Sequence, residues 1–307
     1  MTLYWLQQLL NATMLASFYV PLAVAFALIQ GITRRVFLSF GDLAMYGSFA
    51  AIYACFAALL RGNGDGLAAA SALVLAISCG AALGWGLARF VFGAALLQSA
   101  QAFMIASIGL SIALQEGLRI QSMSRDVWIP PLFEGAALFA IKGSFNVKVT
   151  LMAAIALGVS ITATALVAAV IKFTAMGRNW RACAQSIILA KLCGVNTDRT
   201  LVATFALASG LAAVPGWMSA ISYGGTNFTI GLMMGFKAMF AAVVGGFGSI
   251  KGAVIGAIAL AFLEVAWSAM FSTAYRDAGV LAIIVFILLL KPDGLAGFTG
   301  KRESEAP

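Results

Sequence analysis

The sequence predicts an all-α integral membrane protein, a polytopic bundle of about 8–10 transmembrane segments with broken or re-entrant helices and internal repeats. Three observations predict it. Of 307 residues, 62% are hydrophobic and only 10% charged, with a mean hydropathy of +1.00. Soluble chains carry about 25% charged residues, so this composition cannot coat a soluble body of this size, and lipid must be its solvent. Apolar runs recur along the whole length, most of them reaching the roughly 20 residues that cross a bilayer. Glycine-rich pieces interrupt those runs at two separated places.

Taken in order, the apolar segments lie near 9–30, 36–60, 67–92, 99–120, 144–172, 200–223, 235–248, 252–270 and 276–291. The segment at 235–248 is too short to span alone and reads as a half-helix or re-entrant element packed inside protein. The first ten residues lack a basic region, so no cleavable signal peptide is expected. The outer loop at 121–143 contains Ile129-Pro130-Pro131 and reads as irregular. The loop at 172–199 holds Lys172, Arg178, Arg181, Lys191 and Arg199. Placing it in the cytoplasm divides Lys and Arg twelve inside against six outside, with Lys237 in a span. The N-terminus then lies outside and the C-terminus inside. Within this loop, Trp180 to Leu192 has good helix formers and few breakers, with Gly194 and Asn196 as stop signals, and predicts a short amphipathic helix.

The two glycine-rich pieces are Phe40-Gly41-Asp42-Leu43-Ala44-Met45-Tyr46-Gly47 and Ile230-Gly231-Leu232-Met233-Met234-Gly235-Phe236-Lys237-Ala238. Each precedes a small-residue helix, the pattern of interrupted helices that line a transport path; close helix packing through glycine explains the same pattern. The run Gly245-Gly246-Phe247-Gly248-Ser249-Ile250-Lys251-Gly252 reads as a turn between two membrane arms, with Gly245, Gly246, Gly248 and Gly252 supplying positive φ and close approach. It lacks the Gly-Lys-Ser/Thr ending of a phosphate-binding loop, and no other stretch supplies one.

Ionisable residues inside spans are costly and mark function. Here they are Asp42, Glu116, Lys237 and Glu264. Lys237 and Glu264 stand at similar distances on either side of residue 250, so antiparallel arms would bring them to one depth and allow an intramembrane ion pair; separate snorkelling is the alternative. Asp42 at a helix start complements the helix dipole or contacts a solute. Histidine is absent, and Cys55, Cys79, Cys183 and Cys193 have no metal-ligand spacing. No metal, cofactor, catalytic residue or disulfide framework is expected. The net charge of +8 is dispersed, without the basic-aromatic platform of a nucleic-acid binder.

The run Met176-Gly177-Arg178-Asn179-Trp180-Arg181-Ala182-Cys183-Ala184-Gln185, followed by Leu192-Cys193-Gly194-Val195-Asn196, resembles the cytoplasmic loop of LivH-type permeases of the branched-chain amino-acid ABC importers. Gly235-Phe236-Lys237-Ala238, Val244 through Ile250, Leu263-Glu264, Tyr275-Arg276-Asp277 and Lys291-Pro292-Asp293-Gly294-Leu295 continue the likeness. Near the start, Gly41-Asp42-Leu43 with Met45 and Gly47, and Ser107-Ile108-Gly109-Leu110, fit as well. The resemblance implies a transmembrane permease domain over 1–295 and a polar cytoplasmic tail over 296–307, in a bacterial inner membrane. It implies membrane lipid as solvent and three kinds of protein partner: a second permease subunit (LivM-like or a second copy), two ATP-binding subunits and a periplasmic solute-binding protein. Arg181, Ala182, Cys183, Ala184, Gln185, Leu189, Leu192 and Gly194 would form the ATPase-coupling helix. Phe40, Gly41, Asp42, Gly47, Gly231, Gly235 and Lys237 are candidates for the path. The solute would be a branched-chain or related amino acid; urea, amides or other small polar solutes, or a stand-alone secondary transporter, are the alternatives. Two departures stand out: Phe37 and Phe40 where the family usually has Asn and His, and Ser186-Ile187-Ile188 where it usually has polar residues.

Overall fold

The computed structural model describes residues 2–62, 64–92, 100–130, 132, 137–141, 147–246, 248–291 and 294. Eleven α-helices are seen among them: α1 (Thr2–Thr33), α2 (Phe40–Leu60), α3 (Asp65–Leu87), α4 (Ala100–Gln121), α5 (Leu151–Phe173), α6 (Ala175–Gln185), α7 (Ile187–Leu192), α8 (Thr197–Tyr223), α9 (Ile230–Gly245), α10 (Ile250–Met270) and α11 (Arg276–Leu290). A π-helical turn, Ala88–Phe92, ends α3. Among the described residues, eight helical stretches are long and apolar enough to cross a membrane, with α9 a shorter apolar helix beside them. The polar tail at 296–307 lies outside the described residues.

Three spans form the centre. The most apolar windows of α8, α1 and α2 are 78%, 72% and 61% buried inside the protein, whereas those of α11 and α5 are 11% and 17% buried and present most of their surface outward. The sequence explains the central position. α8 carries Ala208, Ser209, Gly210, Ala212, Ala213 and Gly216, and small residues let neighbouring backbones approach. A Cβ on Gly216 would strike the Ala44 carbonyl of α2; one on Gly84 of α3 would strike Ser209 and the Phe205 carbonyl. Trp217 fills the remaining space and donates from Nε1 to the Ala69 carbonyl at 3.0 Å.

Prolines inside spans are tolerated when a neighbour takes over the freed carbonyl. Pro21 of α1 cannot donate to Ser17, and the Ser17 carbonyl instead accepts from Ser160 Oγ of α5 at 2.6 Å. α8 ends at Gly224, whose φ of +70° is the left-handed closure glycine adopts without strain.

Three sequence expectations require correction. Residues 40–47 and 230–238 do not precede helices; they form the first turns of α2 and α9. The interruption before α2 is the short non-helical link after Thr33, and the one before α9 follows Tyr223. The element expected as one helix from Trp180 to Leu192 is two helices, α6 and α7. They break at Ser186, which is extended (φ −161°, ψ 121°) and whose hydroxyl caps α7 by accepting from Leu189 N. The outer loop is not wholly irregular. Val127–Trp128 (β1) pairs antiparallel with Gly225–Thr226 (β4), and Ala137–Ile141 (β2) pairs with Val147–Thr150 (β3). The β1–β4 bridge ties this loop to the α8–α9 connection.

Gly41→Val should lower the thermal midpoint in detergent, by an overpacking penalty of about 1–3 kcal/mol, because the added side chain meets the backbone of Gly231 and Gly235. Gly86→Ala on α3, where nothing lies within 4 Å, should be neutral or slightly stabilising. Equal effects of the two changes would contradict this packing.

Candidate functional site

The first turns of α2 and α9 lie against each other. Gly41 abuts the Gly231 carbonyl and the Gly235 backbone, and a Cβ on Gly231 would come within 2.8 Å of Asp42 Oδ1. Asp42 sits in the first turn of α2 and is 1% exposed. Its carboxylate is therefore close to two helix N-termini, whose partial positive charge favours an anion. Oδ1 accepts from Gln115 Nε2 of α4 at 2.9 Å. Oδ2 has no partner. Among the described residues no Lys or Arg pairs with Asp42.

On another side of α9 lies an ionic cluster. Lys237 Nζ stands 3.0 Å from Glu264 Oε1, across the α9–α10 hairpin. Tyr19 of α1 links the two: its hydroxyl accepts from Lys237 Nζ and donates to Glu264 Oε2, each at 2.8 Å. Asp277 Oδ1 at the start of α11 lies 3.7 Å from Lys237. Glu264 is buried, so the ammonium and the phenol together stabilise a carboxylate that lipid and protein would otherwise desolvate. A cavity of about 200 Å³ adjoins this cluster, with Tyr223, Met233 and Arg276 in its walls.

At the end of the bundle where α1 finishes, α6 packs flat against it. Gly177, Trp180 and Cys183 are buried at helical spacing, and Arg178, Asn179 and Arg181 are exposed. Trp180 lies over Gly31 and donates from Nε1 to the Leu28 carbonyl at 3.1 Å. Arg34 donates to the terminal carbonyls of α6, at Ala184 and Gln185, both at 2.8 Å. The Arg181 guanidinium donates to the Ile171 carbonyl of α5. α6 is thus clamped to two membrane spans. Ala182 and Ala184 are half-buried and Gln185 is exposed. Burial pushes the Cys183 thiol above its ordinary value, against a bond to Thr200. Beyond the break, α7 exposes Ile188 (74%), Leu189 (63%) and Leu192 (79%), while Cys193 and Gly194 are exposed in the turn that follows. A cavity of about 690 Å³, lined by Gln30, Arg34, Trp180 and Gly248, lies between α6 and the α9–α10 turn.

The candidate residues thus fall into separate groups. Gly41, Asp42, Gly231 and Gly235 come together, with Phe40 buried beside them against Phe26 at 5.5 Å between ring centroids. Gly47 packs instead on Ala213 of α8. Lys237 belongs to the ionic cluster with Glu264. Gly245 and Gly252 touch through their backbones, and Gly246 and Gly248 take positive φ (+107° and +76°) in the turn joining α9 to α10. Glu116 is half exposed and pairs with Arg119 at 3.3 Å. Sequence reasoning missed Gln115 and Tyr19. Gln115, a glutamine in the middle of the apolar α4, was a usable signal for the first; nothing in the sequence marked the second.

The family model described as branched-chain amino acid transport system / permease component matches residues 8–290. The chain belongs to this family. It is 36% identical over 296 residues, 96% of each chain, to the high-affinity branched-chain amino acid transport system permease protein LivH of Escherichia coli. It is 28% identical over 295 residues, again 96% of each, to the corresponding permease protein BraD of Pseudomonas aeruginosa. A shorter stretch of 103 residues, 32% of this chain, is 33% identical to the xylose transport system permease protein XylH of Escherichia coli. Membership in a permease family and eight membrane-length helices agree on a multi-pass membrane protein with a transport role.

Lys237→Met alone leaves the buried Glu264 with Tyr19 only, and should destabilise the protein by about 3 kcal/mol. The double change Lys237→Met with Glu264→Gln should recover at least half of that loss in the same thermal-unfolding assay. A double variant no better than the single one would mean that the two charges do not act as a pair.

Proposed function

We propose that the chain is the membrane-spanning subunit of a bacterial ABC importer for branched-chain or chemically related amino acids. It works in the inner membrane beside a second permease subunit, receives solute from a periplasmic binding protein, and is driven by two ATP-binding subunits that are separate polypeptides. The observation that carries this reading is the α6–α7 element. A helix fixed to α1 by Trp180 and Arg34, and to α5 by Arg181, moves as one body with those spans. α7 beyond it presents Ile188, Leu189 and Leu192 without cover. ATPase closure pressing on such an element shifts α1 and α5 directly, and transport needs that rigid-body motion. The chain's own sequence holds no phosphate-binding loop, so ATP is hydrolysed elsewhere.

The same element orients the chain. Arg34, Arg178, Arg181 and Lys191 gather at its end of the bundle together with the α9–α10 turn, and an excess of Lys and Arg belongs to the cytoplasm. In this reading the end of α11 faces the cytoplasm. Phe37, where the family resemblance leads one to expect a polar residue, packs on Phe92 and Phe205 at 4.9 and 5.6 Å between ring centroids. That favours solutes with an apolar body over urea or amides.

Leu189→Asp with Leu192→Asp should leave the protein inserted but reduce co-purification of the ATP-binding subunits at least tenfold from native membranes. Unchanged recovery would remove α7 from the contact. Cys193, exposed next to α7, should react with a membrane-impermeant maleimide in inside-out vesicles and not in intact cells, while buried Cys183 stays unlabelled in both. Labelling of Cys193 from outside would reverse the orientation.

A further inference from the structure

Between α4 and α9 lies a cavity of about 370 Å³, within the roughly 300–1,000 Å³ of small-molecule sites. Its walls are apolar: Phe26, Ile108, Ile112, Leu232, Phe236 and Met239 all face it. Its polar groups are confined to one corner, Ser111 and Gln115. The Gln115 amide is oriented by what stands behind it. A carboxylate accepts and cannot donate, so the Gln115 nitrogen faces Asp42, donating to Oδ1 at 2.9 Å and to Ser111 Oγ at 3.0 Å. Both amide hydrogens are then used, and the Gln115 carbonyl oxygen is the group left to meet a ligand. Behind it stands a buried carboxylate with one oxygen unpartnered and no cation paired to it among the described residues.

A buried carboxylate that keeps one oxygen without a hydrogen-bond partner is expensive in a membrane protein. Helix dipoles at the starts of α2 and α9 hold it there; they do not use the free oxygen. The chemistry complementary to this corner is a cationic or strongly donating N–H head on an apolar body. We infer that this cavity is a solute site inside the permease, in which the aliphatic side chain of an amino acid fills the α4–α9 cup and its ammonium group donates to Gln115. In this arrangement Asp42 acts as a positioning residue through the Gln115 amide. The inference rests on the transport reading above and names the residues that select the solute for it. The competing cavity beside Tyr19, Lys237 and Glu264 is less suited, because Lys237 and Glu264 already satisfy each other there.

The test uses the complete importer in nanodiscs and a diazirine-bearing leucine analogue as the photolabel, with adducts mapped by mass spectrometry. Adducts should fall on α4 between Ile108 and Gln115 and on α9 between Leu232 and Met239. Excess leucine should abolish them, and 4-methylpentanoate, which lacks the amino group, should compete at least tenfold less well. Gln115→Leu should cut labelling at least tenfold, with co-purification of the ATP-binding subunits confirming that the variant is assembled. Asp42→Asn should narrow the preference for leucine over 4-methylpentanoate, a change that loss of packing alone would not produce, and Asp42→Glu should recover it. Adducts beside Lys237, no adducts at all, or labelling indifferent to Gln115→Leu, in an importer that still takes up leucine, would overturn the site and leave the functional reading standing. A wild-type importer that carries no leucine would overturn the functional reading and the site with it.

Discussion

In lipid, apolar surfaces gain nothing by leaving the solvent for one another, so helices associate only where their backbones come close enough for dense contact and where polar groups find partners. One such close approach is between α2 and α9, at Gly41, Gly231 and Gly235. Much else follows from it. It brings two helix N-termini together inside the bundle, gives Asp42 an environment in which a carboxylate can be buried, and holds α9 where Lys237 reaches α1 and α10. The same rule repeats between α8 and its neighbours at Gly84 and Gly216, and between α9 and α10 at Gly245, Gly252 and Gly256. The buried centre built by α1, α2 and α8 is a set of small-residue contacts closed by a few large side chains such as Trp217 and Phe205.

Polar groups inside this frame divide into those that are spent and those that are not. Lys237, Glu264 and Tyr19 satisfy one another and tie three helices together. Ser160 covers the carbonyl that Pro21 releases. Asp42 is different, with one oxygen held by Gln115 and one left over. At the end of the bundle where α1 finishes, α7 leaves the apolar side chains of Ile188, Leu189 and Leu192 uncovered. In the proposed reading, the free acceptor inside faces the solute and the free apolar face of α7 faces an ATP-binding subunit.

Much of this was legible in the sequence because its causes are local. Segment length and hydropathy mark the spans, and α9 was visible as too short. Glycine spacing marks the α9–α10 turn, and near-symmetric distances from that turn place Lys237 opposite Glu264. The starts of α2 and α9 were misplaced because glycine signals a break and a close packing contact alike, and only the neighbour decides which. The single helix expected over 180–192 ignored that Ser186 can cap as well as continue. Gln115 and Tyr19 belong to helices distant in sequence, and no local pattern connects them to Asp42 or Glu264. The likeness to LivH carries transport as a reading of the whole chain, whereas the α4–α9 cavity emerges only from the fold.

Whether this molecule is a path opened by other chains, rather than a transporter in its own right, is decided by uptake of radiolabelled leucine into proteoliposomes. Accumulation should require ATP on the α6–α7 side, both ATP-binding subunits and the solute-binding protein, and should vanish when any one is omitted. Accumulation by the purified chain alone, driven by an ion gradient without ATP, would contradict the proposal.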